Sequence, residues 1–234
     1  MDKLTSPEAP KKEFRVHFMR HGKPVVASEH YGTDQMPFHE FEEAINVERS
    51  MRLPLSEKGR AEILASLQKE DVSHVKLILS SPYLRTQQSA HVVSDYVEAK
   101  TGVKPVFHET KLLREVEFDQ GAMTEEEYTR LMREKGFLGV LSVYDENWIN
   151  GRQKTENIDD TYRRAERVVT YLRRVRKWTA HDVVFVSTHG WIGRVIKHIA
   201  EGGNKAEYLE KTRMLKTGEI FSFSEDDLIA LEHE

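Results

Sequence analysis

Val16-His17-Phe18-Met19-Arg20-His21-Gly22-Lys23-Pro24 is the stretch around which this chain is organised. Phe14, Val16 and Phe18 alternate with Arg15 and His17, the period of a strand, and Met19 follows. The strand ends at Arg20-His21-Gly22, and Pro24, lacking an N–H, cannot extend a ladder. An arginine and a histidine therefore stand where a buried strand meets a loop, and open α/β sheets bind ligands at the carboxyl ends of their strands. Arg20 supplies a permanent cation with forked donors. His21 supplies a nitrogen that is neutral, hence nucleophilic, near neutral pH. Gly22 would let the backbone come close to a ligand. Arg-His-Gly alone also describes a strand end with solvent-facing basic residues, so the rest of the chain decides.

Two further apolar runs end the same way. Lys76-Leu77-Ile78-Leu79 reads as a central parallel strand and runs into Ser80-Ser81-Pro82, with a helix from Tyr83 to about Lys100 carrying Arg85. Val183-Val184-Phe185-Val186 runs into Ser187-Thr188-His189-Gly190, with a helix from Trp191 to Ala200 that Gly202-Gly203 stops. Between them, Ser56 caps a helix whose inward stripe is Ala61, Ile63, Leu64 and Leu67. Val106-Phe107 is a short strand. Thr124 and Glu127 form a capping box for a helix that stops at Gly136. A long helix from Asp159 to Trp178 turns Ala165, Val168, Val169, Leu172 and Val175 inward. Its arginines, Arg163, Arg164, Arg167, Arg173, Arg174 and Arg176, read as a solvated face. Gly218–Phe223 and Leu228–Leu231 read as terminal strands.

Strands separated by helices predict an α/β fold: a three-layer α/β/α sandwich with a mostly parallel central sheet. Residues 1–13, polar with Pro7 and Pro10, read as a flexible lead-in, and 14–234 as one domain. Two stretches resist periodic reading and are taken as insertions, around 25–53 and 120–158. The first, with a short helix over Glu40–Met51, is either a lid or an ordinary insertion. Residues 137–158 are expected to be irregular.

Composition narrows the function classes. At 234 residues, with 38% apolar and 32% charged residues, the chain can bury a full core and stay soluble. A net charge of −4 argues against general nucleic-acid binding. The absence of cysteine excludes disulfides, thiolate metal sites and cysteine-nucleophile chemistry. No apolar run reaches the ~20 residues of a membrane span, and the chain reads as cytoplasmic.

If the three strands are parallel neighbours, Arg20-His21-Gly22, Ser80 through Arg85, and His189-Gly190 converge on one sheet edge. Two arginines and two histidines make an electropositive pocket whose natural guest is a small dianion, above all a phosphoryl group. The helix starts after Pro82 and His189 would add N–H donors. Two arginines beside the histidines would repel a cation, and neither HExxH nor GxxxxGK[ST] is present, so no metal and no cofactor are expected.

Arg20-His21-Gly22, the run Ser80 to Ala90, Leu113-Arg114-Glu115 and Thr188-His189-Gly190 together resemble the histidine phosphatase superfamily, with its phosphoglycerate mutase-like fold. Pro54 to Arg60 and Glu156-Asn157 are lesser echoes, and the resemblance covers roughly 14–231. It implies that His21 is the nucleophile and that Arg20, Arg85 and His189, with Gly22 and Gly190, hold the phosphoryl oxygens. It also implies that Glu115 is the general acid and then the base for water, with Glu117 and Asp119 as neighbouring rivals. Lys23 is either a substrate contact or a solvent-facing lysine. Mutases usually continue Arg-His-Gly with a serine two residues on and an asparagine five on; Pro24 and Ala27 stand there. The resemblance thus implies phosphate monoester hydrolysis through a phosphohistidine, ahead of mutase-type transfer or a non-catalytic phospho-ligand module. Small phosphorylated compounds or a phosphoprotein would be the partners. Nucleic acid and membrane are not expected, and the oligomeric state stays open.

Overall fold

In this computed structural model the described residues are 14–25, 30, 33–119, 123–150, 152, 155–176, 183–203 and 215–224. The lead-in 1–13, Tyr31, Ala27, Gly121, Trp178 and the strand expected over Leu228–Leu231 lie outside them, as do the side chains of Val175 and Arg176.

The apolar runs at Val16, Leu77 and Val183 become β1 (Arg15–Arg20), β2 (Val75–Ser80) and β4 (Val183–Thr188). With β3 (Val106–Glu109) and β5 (Ile220–Ser224) they form one sheet in the order β3-β2-β4-β1-β5. The pairs β3/β2, β2/β4 and β4/β1 are parallel, and β5 joins antiparallel at the edge. β4 is buried at every residue, as a strand covered on both faces must be.

The central strands divide their side chains between two cores. Val16, Phe18, Leu79, Val184 and Val186 face a layer that includes α5 (Glu125–Ile149), α6 (Ile158–Arg176) and α7 (Gly190–Ala200). Met19, Ile78, Val183 and Phe185 face α3 (Glu57–Leu67) and α4 (Leu84–Thr101). The sandwich is as expected. Ser56 caps α3 by accepting the Gly59 N–H at 3.0 Å, and Thr124 caps α5 by accepting from Glu127.

Three expectations need correction. Residues 137–149 are helical: α5 breaks at Gly136, whose φ of 67° is left-handed, and then resumes to Ile149. Phe137, Val140, Tyr144 and Trp148 face the core there, a helical spacing that the glycine stop signal masked. Asp34 fixes the break by accepting the Phe137 N–H at 2.6 Å, so a side chain at Gly136 would collide with the Asp34 carboxylate as well as strain the backbone. Second, Arg164 does not lie on a solvated face; it is buried. Third, Ala61 is exposed, and α3 packs on Gly59, Ile63 and Leu67.

The described part of the 25–53 stretch folds as two short helices, α1 (Phe38–Ile45) and α2 (Val47–Arg52), hinged at Asn46. Tyr128 of α5 ties them down. Its hydroxyl donates to the Met36 carbonyl at 2.7 Å, and its ring lies 5.1 Å from that of Phe41.

Candidate active site

Backbone hydrogen bonds carry the ladder one residue past each strand. The His21 N–H donates to the Thr188 carbonyl at 2.9 Å, and the Ser81 N–H to the Ser187 carbonyl at 3.2 Å. The ends of β1, β2 and β4 therefore deliver their polar clusters side by side, as the parallel pairing demanded.

His21 is almost wholly buried yet borders a cavity. Its Nδ1 lies 2.7 Å from the Gly22 carbonyl. A carbonyl only accepts, so Nδ1 carries the hydrogen and Nε2 the lone pair. Arg85 confirms this tautomer, because its Nε donates to His21 Nε2 at 2.9 Å. Burial, then the Arg85 and Arg20 cations, hold the imidazole neutral to well below its usual pKa of 6.5.

His189 is the opposite tautomer. Its Nδ1 accepts from Arg85 Nη2 at 3.3 Å, so Nε2–H donates to Ser81 Oγ at 2.7 Å. Burial, then Arg85 and His21, lower its pKa too. Arg85 is thus shared between both histidines, with Nη1 donating to the Ser50 carbonyl at the end of the α1–α2 segment. Arg20 reaches into the site from the β1 end and donates to the Leu215 carbonyl.

Glu115 lines the same cavity as the arginines. Its carboxylate accepts N–H bonds from Gly190 (3.0 Å), Trp191 (3.2 Å) and Ile192 (3.2 Å), which are the otherwise orphan donors of α7's first turn. Arg164 holds the loop that presents it, donating to the carbonyls of Leu112 (3.0 Å) and Arg114 (2.6 Å) while pairing with buried Glu156. Glu156 in turn accepts the Glu117 N–H at 3.2 Å. Glu117 itself turns to Arg114 at 3.0 Å.

Of the expected residues, Arg20, His21, Lys23, Arg85 and Glu115 line one cavity of about 490 Å³. His189 sits behind Arg85, its ring 5.2 Å from that of His21. Gly22 and Gly190 are not in the lining. The close backbone approach at Gly22 is to α3: a Cβ there would overlap the Gly59 carbonyl, and the Gly22 N–H donates to Ser89 Oγ. The α7 donors expected to meet a guest are engaged by Glu115 instead. Sequence reading missed Tyr83, whose ring packs edge-on against His189 at 4.6 Å and whose hydroxyl burial pushes up to about 12. It also missed the Glu156–Arg164 support, for which the only signal was a carboxylate before a helix start with an arginine two turns on.

The model of the histidine phosphatase superfamily (branch 1) matches residues 16–223. A search of curated proteins finds no match. Among solved structures, the open reading frame Rv3214 of Mycobacterium tuberculosis is 19% identical, covering 89% of this chain and 90% of that one with a TM-score of 0.55. Bacillus stearothermophilus YhfR is 17% identical (89% and 90% covered, TM-score 0.58). A mycobacterial glucosyl-3-phosphoglycerate phosphatase in complex with VO3 is also 17% identical (89% and 91% covered, TM-score 0.57). At such identities these structures speak for the fold alone, whereas the family match runs from β1 to β5, and on it this chain belongs to the histidine phosphatase superfamily.

Proposed function

We propose that the protein is a phosphatase that hydrolyses phosphate monoesters through a phosphohistidine at Nε2 of His21. The observation that carries this reading is the tautomer. A neutral, buried imidazole has its lone pair at Nε2, beside the cavity and within reach of Arg85.

In the free site Arg85 Nε occupies that lone pair. A bound phosphoryl group offers the guanidinium better acceptors, because charged pairs make the stronger bonds. Arg85 then turns to the oxygens and releases Nε2 to attack. The N–P bond forms as the ester P–O bond breaks, and the leaving oxygen takes a proton from the Glu115 carboxyl. Arg20 and Arg85 neutralise the equatorial oxygens, with His189 behind them. Water then gives a proton to the Glu115 carboxylate and its oxygen attacks phosphorus. The N–P bond returns its electrons to Nε2, leaving alcohol and inorganic phosphate. The pose of Glu115 as an acceptor suits the base half directly; the acid half requires it to enter the reaction carrying a proton.

The test is phosphate release from nitrophenyl phosphate. Wild type turns over and His21→Ala does not, with unchanged circular dichroism. Turnover of His21→Ala near the wild-type rate overturns the proposal. Isomerisation of a phosphoglycerate faster than its hydrolysis would replace it with the mutase.

A further inference from the structure

The cavity extends well beyond the phosphoryl-holding groups. Past Arg20, His21, Arg85 and Glu115 its lining includes an apolar wall of Met36, Phe41, Ile45, Phe137, Leu141 and Trp191. Resting on the phosphatase reading above, we propose that the preferred substrates are phosphate monoesters of apolar alcohols, carrying an extended alkyl chain or an aromatic ring, rather than of sugars or other polyols.

Two polar groups near this wall already have partners, while Ser50 and Tyr83 also line the cavity. The Trp191 indole N–H donates to Asp145 at 2.9 Å, and the Tyr128 hydroxyl is used by Met36. The Glu62 carboxylate, which also lines the cavity, accepts from Thr217 Oγ1 at 2.8 Å and from the Lys23 N–H at 3.2 Å. A polyol placed against the wall would trade water for carbon, and each stranded hydroxyl costs roughly tenfold in affinity. A methylene in the same place gains up to about fourfold.

The wall is also preformed. Asp34 pins the α5 break, Tyr128 pins Met36, and the Phe41 ring packs 5.4 Å from Tyr144. Little ordering remains to oppose binding. The volume, about 490 Å³, lies in the range of sites that enclose an organic ligand. One feature pulls the other way. Lys23 and Lys58 also line the cavity and would suit a second negative charge, so the test includes a substrate that has one.

The experiment compares n-alkyl phosphates from ethyl to octyl, whose leaving alkoxides are similarly basic, with glucose 6-phosphate and 3-phosphoglycerate. We expect kcat/KM to rise about two- to fourfold per methylene over the first several carbons. Hexyl phosphate should exceed ethyl, glucose and glycerate phosphates by at least about tenfold. Alkylphosphonates, which have no ester bond to break, are titrated in parallel by calorimetry and should tighten in the same order. Leu141→Gln and Ile45→Gln should each flatten both series. A flat chain-length profile, preference for the sugar or glycerate ester, or an undiminished slope in both variants overturns the proposal while leaving the phosphatase reading intact. Phosphonates that tighten with chain length, without phosphate release from any ester, overturn the phosphatase reading and keep the apolar site. Neither release nor binding overturns both.

Discussion

Replacing Glu115 with glutamine separates its structural role from the catalytic one proposed for it. Structurally, the carboxylate takes three backbone N–H bonds from the first turn of α7. Glutamine keeps one acceptor oxygen and turns an amide NH₂ toward donors, stranding at least one buried N–H and removing a charge from a helix N-terminus. An unmet donor costs about 1–3 kcal/mol and the lost dipole interaction about 0.3–1 kcal/mol. A net loss of about 2 kcal/mol follows, which for a domain of this size lowers Tm by about 4–8 °C. Against a typical stability of about 5–15 kcal/mol the variant stays folded at 25 °C, so a large rate loss there belongs to chemistry.

That rate loss depends on the leaving group. An alkyl phosphate departs as a strongly basic alkoxide and needs the proton; a nitrophenyl phosphate departs as a stabilised phenolate. Glu115→Gln is therefore expected to slow alkyl phosphate turnover by about 10²–10⁴-fold. The rapid-quench burst of phosphoenzyme from nitrophenyl phosphate should survive. Glu117→Gln should do neither: its partner is half-exposed Arg114, and it lies outside the cavity lining. If the two variants exchange behaviours, the acid is Glu117. If Glu115→Gln abolishes the nitrophenyl burst as well, Glu115 holds the site together and donates no proton.

Three further outcomes are expected. Because His21 is held neutral well below pH 6.5, kcat/KM on an aryl phosphate, corrected for the substrate's own ionisation near pH ~6, should stay flat as pH falls through 6.5. A corrected acid limb centred at 6.5 would contradict this. Burial, aided by Arg15, lowers His17 to about 4; the unfolded chain then binds the extra proton between pH 6.5 and 4, so stability falls with pH across that window by about 3 kcal/mol from this residue. Urea denaturation at pH 7 and pH 4 should show that His17→Gln loses less over the window than wild type, and an equal loss would refute it. Activity should survive exhaustive chelation if, as proposed, Arg20 and Arg85 supply the charge stabilisation; a loss restored by a divalent metal would show the site misread.

The architecture was legible because central parallel strands are written without ambiguity. β4 opens with four apolar residues, Val183–Val186, and the polar residues of Arg20-His21 and His189 stand at or just past the ends of β1 and β4. Parallel order then forces the clusters together whatever the intervening segments do. The α5 break was half legible: Gly136 announces a stop, but only Asp34, a hundred residues earlier, shows why the helix resumes beyond it. Arg164 was misread because a charge on an amphipathic helix says nothing of a carboxylate waiting on the preceding loop; Glu156 and two carbonyls make its burial tolerable. Gly22 was assigned to a ligand because sequence cannot show that Gly59 of α3 occupies the space. The wall of Phe41, Ile45, Phe137 and Leu141 comes from segments distant in sequence, and only packing brings it to the strand ends.

The central claim, covalent catalysis at Nε2 of His21, is tested most directly by trapping the intermediate. Wild-type protein mixed with radiolabelled aryl phosphate and quenched in alkali within milliseconds should carry one label per chain. The label should be stable to base and labile to acid, as a phosphoramidate is, and should map to the peptide containing His21. Turnover without trapped label, or a label that is acid-stable or maps to His189, Ser81 or any residue other than His21, would contradict it.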